Sequence, residues 1–209
     1  MNELKFFKVG DGAVWPSRGT ELSAGIDFYV PSCNVGEDDE LYVYMRSKIN
    51  ELGNSSQKNE LSKLNSKSKS RYFWELVVLY NKVMFNNELL WYMNDDVFFL
   101  ANGCNVVIPS GITANIPHGY AIVMKNKSGI ATKKGLDIGA CLIDEDYTGI
   151  MHIDMHNNTR HAQPLECGKK IIQGMLIQTN LEVPIKCMNG NNDKGKTERG
   201  AGGFGSTGV

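Results

Sequence analysis

Short apolar or alternating runs, interrupted by glycine and proline, occupy both ends of the chain. Leu4–Val9 and Ser23–Pro31 predict the first strands. Four further runs lie between residues 97 and 125, and others follow at 150–156, 169–178 and, as a last candidate, 181–186. Short strands at such tight intervals are typical of a barrel or sandwich. We therefore expect an all-β domain formed by residues 1–34 and 97–209.

The pattern changes between residues 35 and 96. Segment 53–70 is polar and predicts a mobile stretch, whereas Tyr72–Met93 is apolar and aromatic with helical spacing. We expect an inserted helical subdomain here. Two interpretations stay open: the aromatic side chains pack onto the main domain above a solvated lysine face, or the basic, aromatic-bearing insertion binds a partner or nucleic acid.

Apolar alternation on either side of an acidic turn defines residues 135–154, which read GLDIGACLIDEDYTGIMHID. The pattern predicts a hairpin with Asp144, Asp146 and Tyr147 at its mouth. Residues two apart on a regular strand share a face, so paired carboxylates here could activate a water or bind a metal. The alternative is that aspartate occurs here because it favours turns.

Other polar residues carry weaker signals. Lys127, Ser128 and Gly129 combine a cation, a hydroxyl and a residue without Cβ, which suits a phosphate-binding turn. Gln173 could bind a phosphate or satisfy backbone groups. Asp27 is either a strand-edge residue facing water or a carboxylate of a metal or phosphate site. In the HIDMH segment, residues 152–156, a metal site is conceivable, but solvent-facing positions are the preferred interpretation.

The segment RGAGGFGSTG, residues 199–208, has the composition of a phosphate-binding arm. Its glycines fit a dinucleotide-binding expression, but no predicted strand precedes them and the lysine of a P-loop is absent. Backbone N–H groups with Ser206 and Thr207 can wrap phosphates, Arg199 can neutralise them, and Phe204 can stack on a base. The alternative is a disordered tail without a role.

Composition is that of an ordinary globular chain: 209 residues, 42% hydrophobic, 22% charged, with a net charge of −1. This fits one domain with a large insertion and excludes a strong overall field toward nucleic acid or an acidic membrane. The five cysteines are odd in number and form no CxxC pair, which predicts a reduced chain without structural zinc. With neither a leader nor a spanning segment in the pattern, we expect no membrane association and a cytoplasmic location, the host cytoplasm if the source is viral.

Taken in order, five segments of this chain resemble the motifs of the trimeric dUTPase family, the dUTP pyrophosphatases. Members carry, roughly, AGxDL, PRSGxA, GxIDxDYxG, GxRIAQ and RGxxGFGSTG. The corresponding segments here are AGIDF (24–28), NKSGIA (126–131), ACLIDEDYTG (140–149), GKKIIQ (168–173) and RGAGGFGSTG (199–208).

The resemblance implies a jelly-roll-like β-barrel, a homotrimer with sites shared between subunits, and hydrolysis of dUTP to dUMP and pyrophosphate. Asp144 would activate the attacking water, and Asp27 would hold Mg²⁺ through bound water. Ser128 would stabilise the charge on the leaving oxygen, and Gly129 would let backbone approach the phosphates. Tyr147 would pack under the deoxyribose and exclude a 2′-hydroxyl.

The remaining roles implied by the resemblance concern the base, the phosphates and a closing tail. Backbone near Ile138 and Gly139 would read the uracil edge, and Lys127 and Gln173 would contact phosphates. The tail would close as a lid, with the following residues on the base and the β- and γ-phosphates: Arg199, Phe204, Gly205, Ser206 and Thr207.

Departures from the family pattern lie in two motifs and in the insertion. Lys127 and Lys170 stand where the family has arginine, which keeps the charge but loses bidentate geometry. Enlarged members of this kind occur in phages and other viruses. A dCTP deaminase or bifunctional deaminase–dUTPase on the same fold, and a regulatory protein that binds an unknown partner through the insertion, are the alternatives.

Overall fold

The fold is known from a computed structural model, which describes residues 3–65 and 68–187. The strands are β1 (Lys5–Lys8), β2 (Ser17–Arg18), β3 (Ile26–Tyr29), β4 (Trp91–Asn94), β5 (Val97–Leu100), β6 (Asn105–Pro109), β7 (Ile112–Asn115), β8 (Tyr120–Asn126), β9 (Leu136–Ile138), β10 (Leu142–Ile143), β11 (His152–Asn157), β12 (Gln163–Leu165) and β13 (Lys170–Gln178). The helices are α1 (Glu40–Leu52), α2 (Ser55–Lys63), α3 (Lys69–Phe85) and α4 (Ser128–Lys134).

Antiparallel pairing joins the strands of the described ranges into small sheets. The largest has the order β10-β8-β13-β3-β2, and three-stranded sheets have the orders β6-β11-β9 and β12-β5-β4, while β1 pairs with β7. Alternate residues along β11 are buried, as expected of a strand with one face on the core. The predicted all-β fold with a helical insertion is confirmed.

The insertion packs onto the β-structure through a continuous apolar face. Trp74 on α3 is fully buried and stacks on Phe98 of β5, with ring centroids 4.3 Å apart. The described residues up to Thr179, insertion included, form one compact unit. For α3, the interpretation that the aromatic side chains pack onto the main domain therefore applies. Because Trp74 is buried, it cannot stack on the bases of a nucleic acid.

Two parts of the insertion differ from their predicted structure. Half of the segment predicted to be mobile is helix α2, which begins with a capping box between Asn54 and Gln57. The predicted helix over Tyr72–Met93 ends at Phe85, where Asn86 adopts a left-handed conformation, and Trp91–Asn94 instead pairs with β5. Asp95, in the turn of that hairpin, has a positive φ, which aspartate and asparagine tolerate better than most residues. The Asn-Asp-Asp sequence at 94–96 was therefore the signal for a turn.

Three further predictions of local structure are corrected. Ser128–Lys134 is helix α4 and not only a turn; Ile130 packs against the core and outweighs the low helix propensity of its neighbours. Residues 181–186 contain a turn and no strand. In the predicted central hairpin, β9 pairs with β11, whereas β10 pairs with β8.

The predicted absence of disulfides is wrong for one pair of cysteines. Cys33, which follows β3, is bonded to Cys167, which precedes β13, and their Cα atoms are 5.8 Å apart. The prediction failed because the pairing partners are 134 residues apart in sequence, so local spacing carries no sign of them. Within the described ranges, no helix is both long and apolar enough to cross a bilayer.

Candidate active site

Asp144 lies on an exposed turn at the end of β10. β10 is held by β8, where Leu142 is opposite Val123, and the Tyr147 N–H donates to the Asp144 carbonyl at 3.2 Å. The predicted shared strand face for Asp144 and Asp146 is therefore wrong, because residues 145 and 146 form the turn itself. The exposed carboxylate of Asp144 is free to meet a water and a ligand.

Glu145, which the sequence reading did not single out, fastens this turn to the chain before β8. Its carboxylate oxygens accept hydrogen bonds from His118 Nδ1 at 2.8 Å and from the Gly119 N–H at 2.6 Å. The His118 and Gly119 hydrogen bonds lower the pKa of Glu145. Its position between two aspartates in an acidic turn was the only available signal, and that signal does not distinguish an anchor from a catalytic group.

Asp27 is buried on β3, only 4% exposed, and two lysines meet its carboxylate. Lys127 Nζ donates to one oxygen and Lys170 Nζ lies 2.9 Å from the other. Burial raises the pKa of Asp27, but hydrogen bonds and charge from the two lysines outweigh burial and lower it overall. The interpretation of Asp27 as a strand-edge carboxylate facing water is therefore wrong. Lys170 forms an ion pair with Asp27, although the family motif has arginine at this position.

Gln173 supports the turn that carries Lys127. It is opposite Asp27 in the β3–β13 pair, and its Nε2 donates to the Asn126 carbonyl at 2.9 Å. A Cβ on Gly25 would collide with the Gln173 side chain, so glycine there lets the two strands approach. Of the two uses foreseen for Gln173, satisfying backbone is the one observed.

Ser128 and Gly129 form the first turn of α4, directly after Lys127. The space beyond Gly129 is open: a Cβ built there would meet no atom within 4 Å among the described residues. A phosphate could therefore approach the backbone of this turn without displacing a side chain. The Lys127 side chain is 26% exposed, so part of it remains accessible beside its contact with Asp27.

The backbone of Ile138 and Gly139 is held by two aspartates. The Ile138 N–H donates to Asp137 Oδ1 at 2.9 Å, and the Gly139 N–H donates to the Asp154 carbonyl at 2.9 Å. A Cβ on Gly139 would collide with Asp154 Oδ2 and His156 Nε2. This segment therefore lies directly on β11, and a side chain at residue 139 would have to displace Asp154 or His156.

Asp154 corrects the interpretation of the HIDMH segment as solvent-facing. Its side chain is 15% exposed and accepts from the Ala140 N–H at 3.1 Å and from Asn105 Nδ2 at 3.1 Å. His156 Nε2 lies 3.3 Å from Asp154 Oδ1. Within residues 3–65 and 68–187, no three histidine, cysteine, aspartate or glutamate side chains group as metal ligands. These side chains act as supports for the residue 138–140 segment.

Tyr147 is fixed at its hydroxyl and open on its ring. The hydroxyl donates to the Ile150 carbonyl at 2.9 Å, and a Cβ on Gly149 would come within 2.6 Å of that hydroxyl. The ring therefore lies over the Gly149 backbone. Tyr147 is still 40% exposed, which leaves an aromatic surface for a flat or puckered ligand.

A hydrogen bond joins two parts of the site, the turn at Lys127 and the 138–140 segment. Asn126 Nδ2 donates to Asp137 Oδ1 at 2.5 Å, which links the turn of Lys127 to the start of the 138–140 segment. In the described ranges, no hydrogen bond or ion pair joins Asp144 or Tyr147 directly to Asp27. The predicted tail residues lie outside the described ranges: Arg199, Phe204, Gly205, Ser206 and Thr207.

Comparison with known proteins identifies a family over the C-terminal part of the chain. The family model for dUTPase matches residues 91–208. A deoxyuridine 5'-triphosphate nucleotidohydrolase of Yarrowia lipolytica is 36% identical over 109 residues, which cover 52% of this chain and 68% of that protein. Its counterpart in Bordetella avium is 33% identical over 119 residues, 54% of this chain and 76% of the relative.

Solved structures of phage dUTPases share the fold at low identity. A mutant dUTPase of Staphylococcus bacteriophage 80alpha with dUpNHpp has a TM-score of 0.59 at 17% identity, and the match covers 100% of both chains. A mutant dUTPase from phage phi11 of S. aureus, described with a structural Mg(II) ion, has a TM-score of 0.54 at 14% identity and covers 90% of this chain and 98% of that one.

Proposed function

Because this chain belongs to the dUTPase family, we propose that it hydrolyses dUTP to dUMP and pyrophosphate. The family assignment confirms the resemblance found in the five ordered motifs and does not favour the deaminase alternative. The observation that carries the proposal is Asp144, exposed on a turn that β10 and Glu145 hold in place. A carboxylate so placed can take a proton from a water without reorganising the backbone.

In this proposal Asp144 activates the water that attacks the α-phosphorus in line with the leaving pyrophosphate. The carboxylate accepts one proton from the water while the water oxygen forms a bond to phosphorus. The bond from phosphorus to the bridging oxygen of the leaving group breaks at the same time. Glu145, tied to His118 and Gly119, is a structural anchor here, and Asp146 takes no part.

The triphosphate is proposed to lie along the turn at Lys127, Ser128 and Gly129. The ammonium groups of Lys127 and Lys170 oppose phosphate charge, and together with Asp27 they leave this cluster one positive charge in excess. The Ser128 hydroxyl can donate to the leaving oxygen as negative charge grows there. Open space beyond Gly129 favours close approach of the phosphates.

Mg²⁺ fits this site as an ion held mainly by the substrate. Both oxygens of Asp27 already face ammonium groups, but each carboxylate oxygen has a second lone pair that can accept from a metal-bound water. Magnesium keeps several waters and needs few protein carboxylates when phosphates coordinate it. When bound, the ion would neutralise triphosphate charge and favour departure of pyrophosphate.

Base and sugar selection are assigned to the 138–140 segment and to Tyr147. The Gly139 N–H points toward β11, so in an antiparallel ladder the backbone groups of Ile138 point away from it. The Ile138 carbonyl is then placed to accept the N3–H of uracil, a donor that cytosine lacks. The exposed ring of Tyr147 packs on deoxyribose and leaves no room for a 2′-hydroxyl.

The tail is proposed to complete the site by closing over bound nucleotide. Phe204 would cover the uracil, while Arg199, Ser206 and Thr207 would contact the β- and γ-phosphates, with Gly205 allowing the close approach. This part of the proposal rests on the family match, which extends to residue 208. Excluding bulk water in this way protects the attacking water from competing proton transfer.

A homotrimer is part of the same proposal. An apolar row lies on the largest sheet, where Val123 is opposite both Leu142 and Met175. Leu142 is 56% exposed, Met175 36% and Ile177 37%, so a second copy would bury a surface that costs free energy in water. Sharing of sites between copies also agrees with the lack, among the described residues, of a direct hydrogen bond or ion pair between Asp144 and Asp27. Binding of a partner by the insertion stays a prediction.

Pyrophosphate release from dUTP, dCTP, dTTP and UTP with Mg²⁺ tests the function directly. We expect release from dUTP alone, and a loss of about 100-fold or more in kcat for Asp144→Asn, because the general base is removed. Asp146→Asn is the matched control on the same turn and should retain activity. Equal release from all four nucleotides, or none from dUTP, would refute the proposal.

A further inference from the structure

A side-chain hydrogen bond connects two sheets on either side of α4. Asn126 is the last residue of β8 and Asp137 lies on β9, and Asn126 Nδ2 donates to Asp137 Oδ1 at 2.5 Å. In the part of the chain that the structure describes, β8 and β9 belong to different sheets and share no ladder. The bond therefore holds together the strand that leads into α4 and the strand that follows it.

Asn126 and Asp137 are each attached to one of the proposed binding elements. The Asn126 carbonyl accepts from Gln173 Nε2 at 2.9 Å, and Asn126 directly precedes Lys127 in the turn proposed to bind the triphosphate. Asp137 Oδ1 also accepts the Ile138 N–H at 2.9 Å. One carboxylate oxygen thus contacts both the turn at Lys127 and the 138–140 segment proposed to bind uracil.

The orientation of the Asn126 amide follows from the charge of its partner. An ionised carboxylate only accepts hydrogen bonds, so the amide nitrogen must lie toward Asp137. The hydrogen bonds from Asn126 and from the Ile138 N–H lower the pKa of Asp137, so the carboxylate is ionised at neutral pH. Asn126 Oδ1 is buried and has no hydrogen-bond partner among the described residues. The contact with Asp137 therefore orients this side chain.

Asparagine at residue 126 is a further departure from the family pattern, in which the motif PRSGxA begins with proline. Proline has no side-chain donor, so it could not make the hydrogen bond to Asp137. The connection between the turn at Lys127 and the 138–140 segment is therefore a feature of this chain and not of the motif.

We propose that Asn126 and Asp137 are positioning residues that hold the turn at Lys127 and the 138–140 segment at a fixed spacing. The inference rests on the proposed function, which assigns these two elements to the two ends of dUTP. A nucleotide that contacts both elements needs them at a matching distance, and fixing that distance in advance reduces the entropy lost on binding. A ligand that contacts only one element does not depend on the spacing.

Asn126→Ala tests the proposal because it removes the amide donor and keeps the carbonyl that accepts from Gln173. We expect the KM for dUTP to rise about fivefold, the effect of one hydrogen bond. The change in kcat should be less than about twofold, because bound dUTP itself restores the spacing. Asn115→Ala, at an exposed position on β7, is the matched control and should change neither value.

Two partial ligands measure the spacing separately from each binding element. Inorganic triphosphate is the probe for the turn at Lys127, and deoxyuridine is the probe for the 138–140 segment. In Asn126→Ala, the inhibition constants of both against dUTP hydrolysis should stay within about twofold of the wild-type values, because neither ligand spans the two elements. Loss confined to the complete nucleotide is the result that a general weakening of the fold would not produce.

Variants of Asp137 test the same connection from its other end. In an Asp137→Ala background, Asn126→Ala should add no further change in KM, because the acceptor is already absent. Asp137→Asn keeps an oxygen that can accept from the Asn126 amide and should raise KM less than Asp137→Ala. Should Asn126→Ala yield no soluble protein, Asp137→Ala replaces it at an exposed position, with inhibition by inorganic triphosphate as the value that should not change.

Each outcome decides one of the two proposals. If the wild type releases no pyrophosphate from dUTP, the proposed function is refuted and the positioning role with it. If the wild type is active and Asn126→Ala matches it in KM, only the positioning role is refuted. Equal weakening of dUTP, inorganic triphosphate and deoxyuridine would also overturn that role, as would additive effects of Asn126→Ala and Asp137→Ala.

Discussion

Two buried polar networks in this protein differ in charge. In one, the Asp27 carboxylate meets the ammonium groups of Lys127 and Lys170; in the other, the Tyr80 hydroxyl is hydrogen-bonded to Nε2 of the His152 ring, which also stacks on the Tyr80 ring. The charged network needs opposite charges close together, and the neutral one needs a particular order of donors. The two should therefore respond differently to mutation and to pH.

The largest expected effect is on the packing that supports the neutral network. Trp74 is fully buried on the same helix as Tyr80, so Trp74→Ala should lower the free energy of unfolding by about 3–5 kcal/mol. Urea denaturation followed by circular dichroism measures this. Trp15 is 54% exposed, and Trp15→Ala should cost less than about 1 kcal/mol. Equal losses would show that α3 is not anchored through Trp74.

The charged network should lose less, because its lysines can turn toward water. Lys170 is 45% exposed and Lys127 26%, so Asp27→Asn should lower the free energy of unfolding by about 2 kcal/mol, a typical value for hydrogen bonds to charged groups. Asp11→Asn, at an exposed position, is the control.

A double-mutant cycle tells whether the effect of Asp27→Asn comes from this pair. Once Lys127→Met is present, Asp27→Asn should cost less than it does alone, since one of its ion pairs is already absent. Strict additivity of the two changes would contradict the network. Because the pKa of Asp27 is lowered in the folded protein, its ionised carboxylate stabilises the fold above pH 3.8, the ordinary pKa of this group. This stabilisation is lost as the pH falls through the lower pKa of the folded state.

The charged network was the easier of the two to predict from sequence. Asp27, Lys127 and Lys170 lie in short segments whose composition marks them individually, although no local pattern says that they meet. Tyr80 was predicted only as an apolar helix position, because periodicity reports burial and not a partner. Its partner His152 is 72 residues away, and their contact depends on how the whole insertion packs.

Acid should affect the neutral network at a higher pH than the charged one. Burial lowers the pKa of His152 below its ordinary value of 6.5, so the unfolded chain binds a proton that the folded chain does not. Stability should therefore fall as pH drops below 6.5, with a slope of at most about 1.4 kcal/mol per pH unit, and level off once the folded imidazole is protonated. In His152→Gln this slope, measured by urea denaturation between pH 7 and 5, should decrease; an unchanged slope would assign it to other groups.

The smallest expected effect concerns Lys127, where the family motif has arginine. A guanidinium donates in a fixed fork that matches phosphate, whereas an ammonium is a compact charge without that geometry. Lys127→Arg should keep the contact with Asp27 and lower the KM for dUTP about two- to threefold, with kcat nearly unchanged. Lys125→Arg, on strand β8 and exposed, makes the same chemical change at a lysine outside the Asp27 ion pairs and should leave KM unaltered. If Lys127→Arg raises KM instead, the buried Asp27 carboxylate fits an ammonium better than a guanidinium. The charged network would then be specific to lysine, and Lys127 would not be a weaker substitute for the arginine of the family motif.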